Sequence, residues 1–169
     1  DSMMLLQENE ANNILVGGLD EMTEKNFHIY NRLGIWKKEH IRSSELLQHK
    51  TPGTIGGEGA CFFVLSNEQS ENDYAILREV RTIYNPDRVN GIESEIKSML
   101  HENNISSEDI SFVLYGYNGD PANDIIYDKT RTGLLKNSGA GYFKHLCGEY
   151  QTAGAFAMWL AATMIKSDY

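Results

Sequence analysis

Tyr150-Gln151-Thr152-Ala153-Gly154-Ala155-Phe156-Ala157-Met158-Trp159-Leu160-Ala161-Ala162-Thr163-Met164-Ile165 carries no charge on any face. A helix of this composition is expected to be buried all round, which in a small protein makes it a central layer. Immediately upstream lies Tyr142-Phe143-Lys144-His145-Leu146-Cys147-Gly148-Glu149, reached by a polar connection, Lys136 to Gly141. Further back, the run Phe112-Val113-Leu114-Tyr115 predicts a strand. A Gly-rich turn from Gly116 to Asp124 follows it, and then a helix from about Asp124 through Ile125, Ile126 and Lys129. Strands and helices alternate, so the fold class is α/β, with a helix layer covered on both sides by sheet.

The N-terminal part repeats this alternation. Met3, Met4, Leu5, Leu6 and Ala11 fit a short helix, and Ile14-Leu15-Val16 before Gly17-Gly18 predicts a buried strand. Thr23 opens a helix through Phe27, Tyr30, Leu33 and Gly34, and residues 36–54 form a long polar loop punctuated by Pro52 and Gly53. Ala60 to Leu65 and Tyr74 to Val80 predict two strands of a hairpin. Asn90 or Gly91 opens a surface helix with Ile92, Ile96, Met99 and Leu100 on one face, and Ser106 to Asp109 a one-turn cap.

Composition removes several function classes. The 15 basic residues against 24 acidic ones give a net charge of −9, and no basic block concentrates the charge that a phosphate backbone requires, so nucleic acid is not the expected partner. Cys61 and Cys147 are too few for a disulfide scaffold, and a reducing, cytoplasmic setting is expected. The uncharged run Ala153 to Ile165 is shorter than the roughly 20 residues of a membrane span. His28, His40, His49 and His101 show no metal-ligand spacing, and Gly-x-Ser-x-Gly and phosphate-loop motifs are absent.

Taken in order, a set of blocks resembles the middle of a thiolase-fold condensing enzyme of the β-ketoacyl synthase family. Leu15-Val16-Gly17-Gly18-Leu19-Asp20-Glu21 resembles the strand ending in Gly-Gly-x-Glu, and Gly57-Glu58-Gly59-Ala60 resembles the Gly-(Glu/Asp)-Gly-Ala block. Tyr115-Gly116-Tyr117-Asn118-Gly119 with Asn123-Asp124 stands where the family has His-Gly-Thr-x-Thr and then Asp. Lys144 with Gly148-Glu149 and Ala153-Gly154-Ala155 stands where it has Lys-x-x-x-Gly-His and an Ala/Gly-rich buried helix. The resemblance implies a thiolase-like layered fold, incomplete in this chain. Residues 1–169 would form a single segment of a ketosynthase domain, without the N-terminal nucleophile part and the C-terminal strands. Such a segment is expected to expose apolar faces of the central helix and of the Ile14 to Leu19 strand.

What the resemblance implies chemically is a decarboxylating Claisen condensation of acyl and malonyl thioesters held on an acyl carrier protein, without metal or dissociable cofactor, in a homodimer or a ketosynthase heterodimer. Both family histidines are replaced, by Tyr115 and Glu149, while Lys144 is retained; these three are the catalytic candidates. Asn118 and Gly148 are the implied substrate-binding residues, and Glu58 and Asp124 the structural ones. Met158 stands where a glutamate often partners the lysine, and Glu149 takes that place. Two roles are compatible with a Lys144–Glu149 pair, a structural clamp or a modified condensing site. A carboxylate only accepts hydrogen bonds, whereas a developing enolate needs donors. A catalytically silent, chain-length-factor-like partner is therefore the alternative to the synthase, and an unrelated α/β hydrolase-type domain the second. Cys147 is a minor candidate nucleophile and Cys61 a core residue. Asp120 and Asp124 are expected to cap the helix that follows them.

Overall fold

The computed structural model describes residues 1–84 and 90–168, the side chain of Asn90 excepted. The capping role expected of Asn90 therefore lies outside the described residues. The chain runs α1 (Ser2–Gln7), β1 (Asn13–Asp20), α2 (Glu24–Arg32), β2 (Gly59–Ser66), α3 (Asn90–Glu102), β3 (Phe112–Tyr115), α4 (Pro121–Thr132), β4 (Gly139–Tyr142), α5 (Lys144–Cys147) and α6 (Ala153–Lys166). Single 3₁₀ turns lie at Ser43–Glu45 and Ser107–Asp109. Thr23 caps α2 by accepting the Asn26 N–H at 3.2 Å, and Ser106 caps the second 3₁₀ turn.

Among the described residues the strands form two small sheets, an antiparallel β1–β2 pair and a parallel β3–β4 pair. In the first, Leu15 lies opposite Val64, Gly17 opposite Phe62 and Leu19 opposite Ala60. Helix α6 packs on β2, and α1 on β1. Around the loop of residues 36–54 sit the buried side chains of Trp36, Leu46 and Thr54, with Leu46 wholly out of solvent.

Several elements differ from the sequence expectations. The strand partner of β2 is β1, not the segment from Tyr74, which pairs with no strand among the described residues. The paired strands are held by the register from Asn13–Ser66 to Asp20–Gly59, whereas in residues 74–84 Arg81 is tied to Glu102 and the Tyr74 ring lies under Lys166. Strand β1 is not buried on both faces: its burial alternates, and Leu15 and Leu19 are exposed on the side away from the core. Helix α6 lies on a sheet, yet it is not covered all round within these residues. Only Ala153 is fully buried, and Trp159 is 45% and Ile165 61% exposed. The exposure expected of the central helix and of the Ile14 to Leu19 strand is thus present.

The helix expected from Asp124 begins at Pro121, where proline loses no helical hydrogen bond and Asp120 caps it through the Ala122 N–H at 2.9 Å. The connection from Lys136 hides β4. Its glycines leave room for the Phe112 ring, since a Cβ on Gly139 or Gly141 would stand 2.7 Å from that ring.

Gly154 is the opposite case. An added Cβ there meets nothing within 4 Å, so Gly154→Ala is expected to stabilise the protein by about 0.5 kcal/mol by restricting the unfolded chain. Chemical denaturation checks the sign.

Candidate functional site

The site forms where the turn after β3 meets the turn after α5. Asp124, in the first turn of α4, accepts the N–H of Asn118 at 2.8 Å and of Gly119 at 3.0 Å. It thus folds the preceding turn back on the helix rather than capping the helix itself, which is the correction to its expected role. Burial pushes the Asp124 carboxyl above the usual carboxylate range, against the pull of these two N–H groups. Gly119 takes a left-handed φ of +82, and a Cβ on it would lie 2.5 Å from the Leu46 carbonyl oxygen.

The long loop is latched to this turn twice. Lys37 Nζ donates to the Gly119 carbonyl at 2.9 Å, and also to the carbonyls of His49 at 2.9 Å and Thr51 at 2.6 Å. Burial lowers the Lys37 pKa, with Glu39, Asp120 and Asp124 opposing. Gly53 N–H donates to Asp120 Oδ2 at 2.8 Å. Lys37 is not legible in the sequence, because nothing in a polar loop marks a lysine that will satisfy carbonyls from two segments.

Asn118 is oriented by this scaffold. Its Oδ1 accepts the Asp120 N–H at 3.1 Å, which turns Nδ2 towards Glu149 Oε2 at 2.9 Å. The other Glu149 oxygen, Oε1, is bonded to Lys144 Nζ, whose side chain is 11% exposed against 25% for the glutamate. The backbone of Glu149 is fixed too: its N–H donates to Ile55 O at 2.8 Å, and its carbonyl accepts the Gly57 N–H at 3.1 Å.

Gly148 makes this docking possible. It has φ 77 and ψ −174, and its Cβ position lies 2.7 Å from Gly57 Cα. A Cβ on Gly57 would stand 2.0 Å from the Cys147 carbonyl oxygen. The two glycine segments therefore pack backbone against backbone. Glu58, between them in sequence and the remaining structural candidate, accepts the Met22 N–H at 2.9 Å. Asp20 is a residue missed as a site support: it binds both the N–H and the hydroxyl of Thr152, at 2.7 and 2.6 Å, and so holds the start of α6 against the end of β1.

Lys144, Glu149, Asn118 and Gly148 are thus brought together, and among the described residues no hydrogen bond joins Tyr115 to them. Tyr115 is 4% exposed, its hydroxyl has no hydrogen-bond partner among the described residues, and its ring meets Tyr117 and Tyr127 at centroid distances of 5.8 and 6.0 Å. Burial pushes its pKa up. The residue of the β3 turn that touches Glu149 is Asn118, three positions later, because the strand ends at Tyr115 and the turn carries Asn118 across. Tyr117 donates to Asp128 at 2.7 Å and faces a cleft of about 440 Å³ with Arg131 and Tyr142.

Cys147 and Cys61 line another cleft of about 440 Å³ with Tyr150, Phe156 and Trp159. Burial raises both thiol pKa values, and Lys144 only partly offsets this at Cys147. A raised pKa means less thiolate at a given pH. Alkylation of both cysteines by iodoacetamide at pH 8 is accordingly expected to be slower than that of free cysteine, and still rising above pH 9. Faster labelling of Cys147 than of free cysteine at pH 7 would contradict this. His28 does have a carboxylate neighbour, Glu24 one turn earlier at 3.7 Å, but among the described residues no group of three or more ligating side chains fits a metal ion. No described helix is long and apolar enough to cross a membrane.

No protein-family model matches the chain, and no curated protein matches it in sequence. Its fold does match solved structures. The ishigamide ketosynthase/chain length factor superposes with a TM-score of 0.69 at 18% identity, covering 98% of this chain and 43% of that one. The chain has a ketosynthase fold. A β-ketoacyl synthase from Burkholderia phymatum STM815 superposes with a TM-score of 0.63 at 16% identity, covering 97% of this chain and 44% of that one. The chain spans less than half the length of these ketosynthase-fold relatives.

Proposed function

We propose that this chain belongs to a ketosynthase-type subunit that handles acyl thioesters on an acyl carrier protein in fatty acid or polyketide type synthesis, in the non-condensing role of a chain-length-factor-like partner. The observation that carries this reading is the state of Glu149, whose two oxygens are engaged by Lys144 Nζ and Asn118 Nδ2. Decarboxylative condensation needs preorganised donors aimed at the oxygen where charge develops. Here an ammonium and an amide each direct a donor at a carboxylate, which can only accept. A second carboxylate-like charge forming beside it would be repelled rather than held. The Lys144–Glu149–Asn118 cluster then acts as a clamp that shapes the site, and the acyl chain is carried by an active ketosynthase in a heterodimer. The competing reading, a condensing synthase with a variant site, rests on the retained Lys144.

The deciding experiment incubates the full-length polypeptide containing this chain with acyl-loaded and malonyl-loaded carrier protein, alone and with an active ketosynthase. Intact mass and product are followed together. The expected result is no acyl adduct on this polypeptide and no β-ketoacyl product from it alone, with a narrower product length distribution when the active partner is present. An acyl adduct on one of its cysteines, with β-ketoacyl product formed alone, would establish the condensing synthase instead. Release of free acid alone would favour a hydrolase.

A further inference from the structure

Three segments enclose the cleft that Tyr117 faces. Helix α4 presents Asp124, Asp128 and Arg131 to it from one face, at spacings of four and three residues. The turn after β3 brings Tyr117 and β4 brings Tyr142, and their rings meet edge to face with centroids 5.2 Å apart. The long loop closes the third side with Leu47 and Lys50, leaving about 440 Å³, the volume of a small-molecule site. No member of the Lys144–Glu149–Asn118 cluster lines this cleft, so it is independent of the role given to Glu149.

The charges around the cleft are unequally spent. Asp124 already accepts two backbone N–H groups, and Asp128 accepts the Tyr117 hydroxyl at 2.7 Å. Burial, together with that bond, keeps Tyr117 a neutral phenol whose single proton is committed to Asp128. Arg131 and Lys50 are both exposed, and neither forms an ion pair among the described residues. Arg131 lies over the Tyr142 ring, 6.0 Å from its centroid, so the ring already has its cation and does not call for one from a ligand. The acceptors are occupied and the cationic donors are not, which selects an anion.

We propose that this cleft binds a small aromatic carboxylate, with its carboxylate on Arg131 and Lys50 and its ring among Tyr117, Tyr142 and Ile125. A planar guanidinium matches the two oxygens of a carboxylate, which a single ammonium does not. The tyrosine rings favour a further ring set edge-on or offset against them, and Leu47 and the half-exposed Ile125 supply apolar surface for its other side.

Ligand-observed NMR on the natural polypeptide that contains these residues tests the proposal, with benzoate as the probe. Benzoate is expected to bind with a Kd of about 1 mM, as suits a ligand of its size, and benzamide and benzylamine at least about tenfold more weakly, since neither brings an anion. Cyclohexanecarboxylate, of the same charge and similar bulk, is expected to be about threefold weaker for want of ring contacts. Arg131→Met is expected to weaken benzoate about tenfold or more, and Arg131→Lys, which keeps the charge, several-fold. Lys38→Met removes one charge from an exposed position of the same loop outside the cleft, and is expected to change nothing. Absence of saturable binding at about ten times the expected Kd would overturn the proposal. So would benzylamine or cyclohexanecarboxylate binding as tightly as benzoate, or an unchanged affinity in both Arg131 variants. Equal weakening by Arg131→Met and Lys38→Met would overturn it as well, since overall charge and not this cleft would then draw the anion.

Discussion

Gly148→Ala is expected to destabilise the protein by about 3 kcal/mol or more. Two costs combine. The backbone at φ 77 and ψ −174 belongs to the region essentially reserved for glycine, where a side chain costs about 1–3 kcal/mol. The new Cβ would also stand 2.7 Å from Gly57 Cα and 2.8 Å from Gly56 O, which are backbone atoms with no rotamer to yield. Relief requires the loop of Glu149 to lift off residues 55–57, breaking the hydrogen bonds from Glu149 N–H to Ile55 and from Gly57 N–H to Glu149. Denaturant unfolding of the full polypeptide, with Gly154→Ala as a control of opposite sign, measures it. A loss below about 0.5 kcal/mol, the range of ordinary surface changes, would mean that the close approach does not exist.

Lys144→Met carries the second large effect, a loss of about 3 kcal/mol. Removing one partner of a buried pair costs roughly 3–5 kcal/mol, because the remaining charge is left uncompensated. The 11% and 25% exposure of the two side chains places this pair near the lower end. Asn118 still donates to Glu149 Oε2 in the variant, and it cannot neutralise the carboxylate. The double variant Lys144→Met/Glu149→Leu is therefore expected to recover most of the loss, since the orphaned charge is gone. A double-mutant cycle by thermal or denaturant unfolding should show a coupling of about 1–3 kcal/mol. Additive losses would show that the two side chains act separately and would remove the clamp on which the proposed role of Glu149 depends.

How far the sequence could be read follows from the range over which each signal acts. The caps are local. Thr23, Ser106 and Asp120 each precede their helix or turn by a fixed offset and can be recognised from neighbours alone. Strand β2 was visible as an apolar run, but its partner was not, because pairing depends on which distant run matches its register. The candidate from Tyr74 is nearer to β2 in sequence, yet it is β1 that pairs with β2. Strand β4 was invisible, since Gly-Ala-Gly-Tyr has no β-forming bias and becomes a strand only because Phe112 covers its glycines. At the site, Lys144 and Glu149 are legible only through the resemblance of Lys-x-x-x-Gly-Glu to the family's block. The choice between Tyr115 and Asn118 as the residue meeting Glu149 turns on where β3 stops, a boundary that composition does not locate.

By itself the sequence determined the α/β alternation, the apolar character of α6, the acidic surface and the ordered glycine blocks, because these depend on residue type and on spacing along one segment. Only the tertiary structure decided that Glu149 engages Lys144 and Asn118 with its two oxygens, that Lys37 latches the long loop to Gly119, and that residues 74–83 have no strand beside them among the described residues. Each is a contact between segments far apart in sequence. Its geometry is set by the packing of backbone against backbone, which no local pattern encodes.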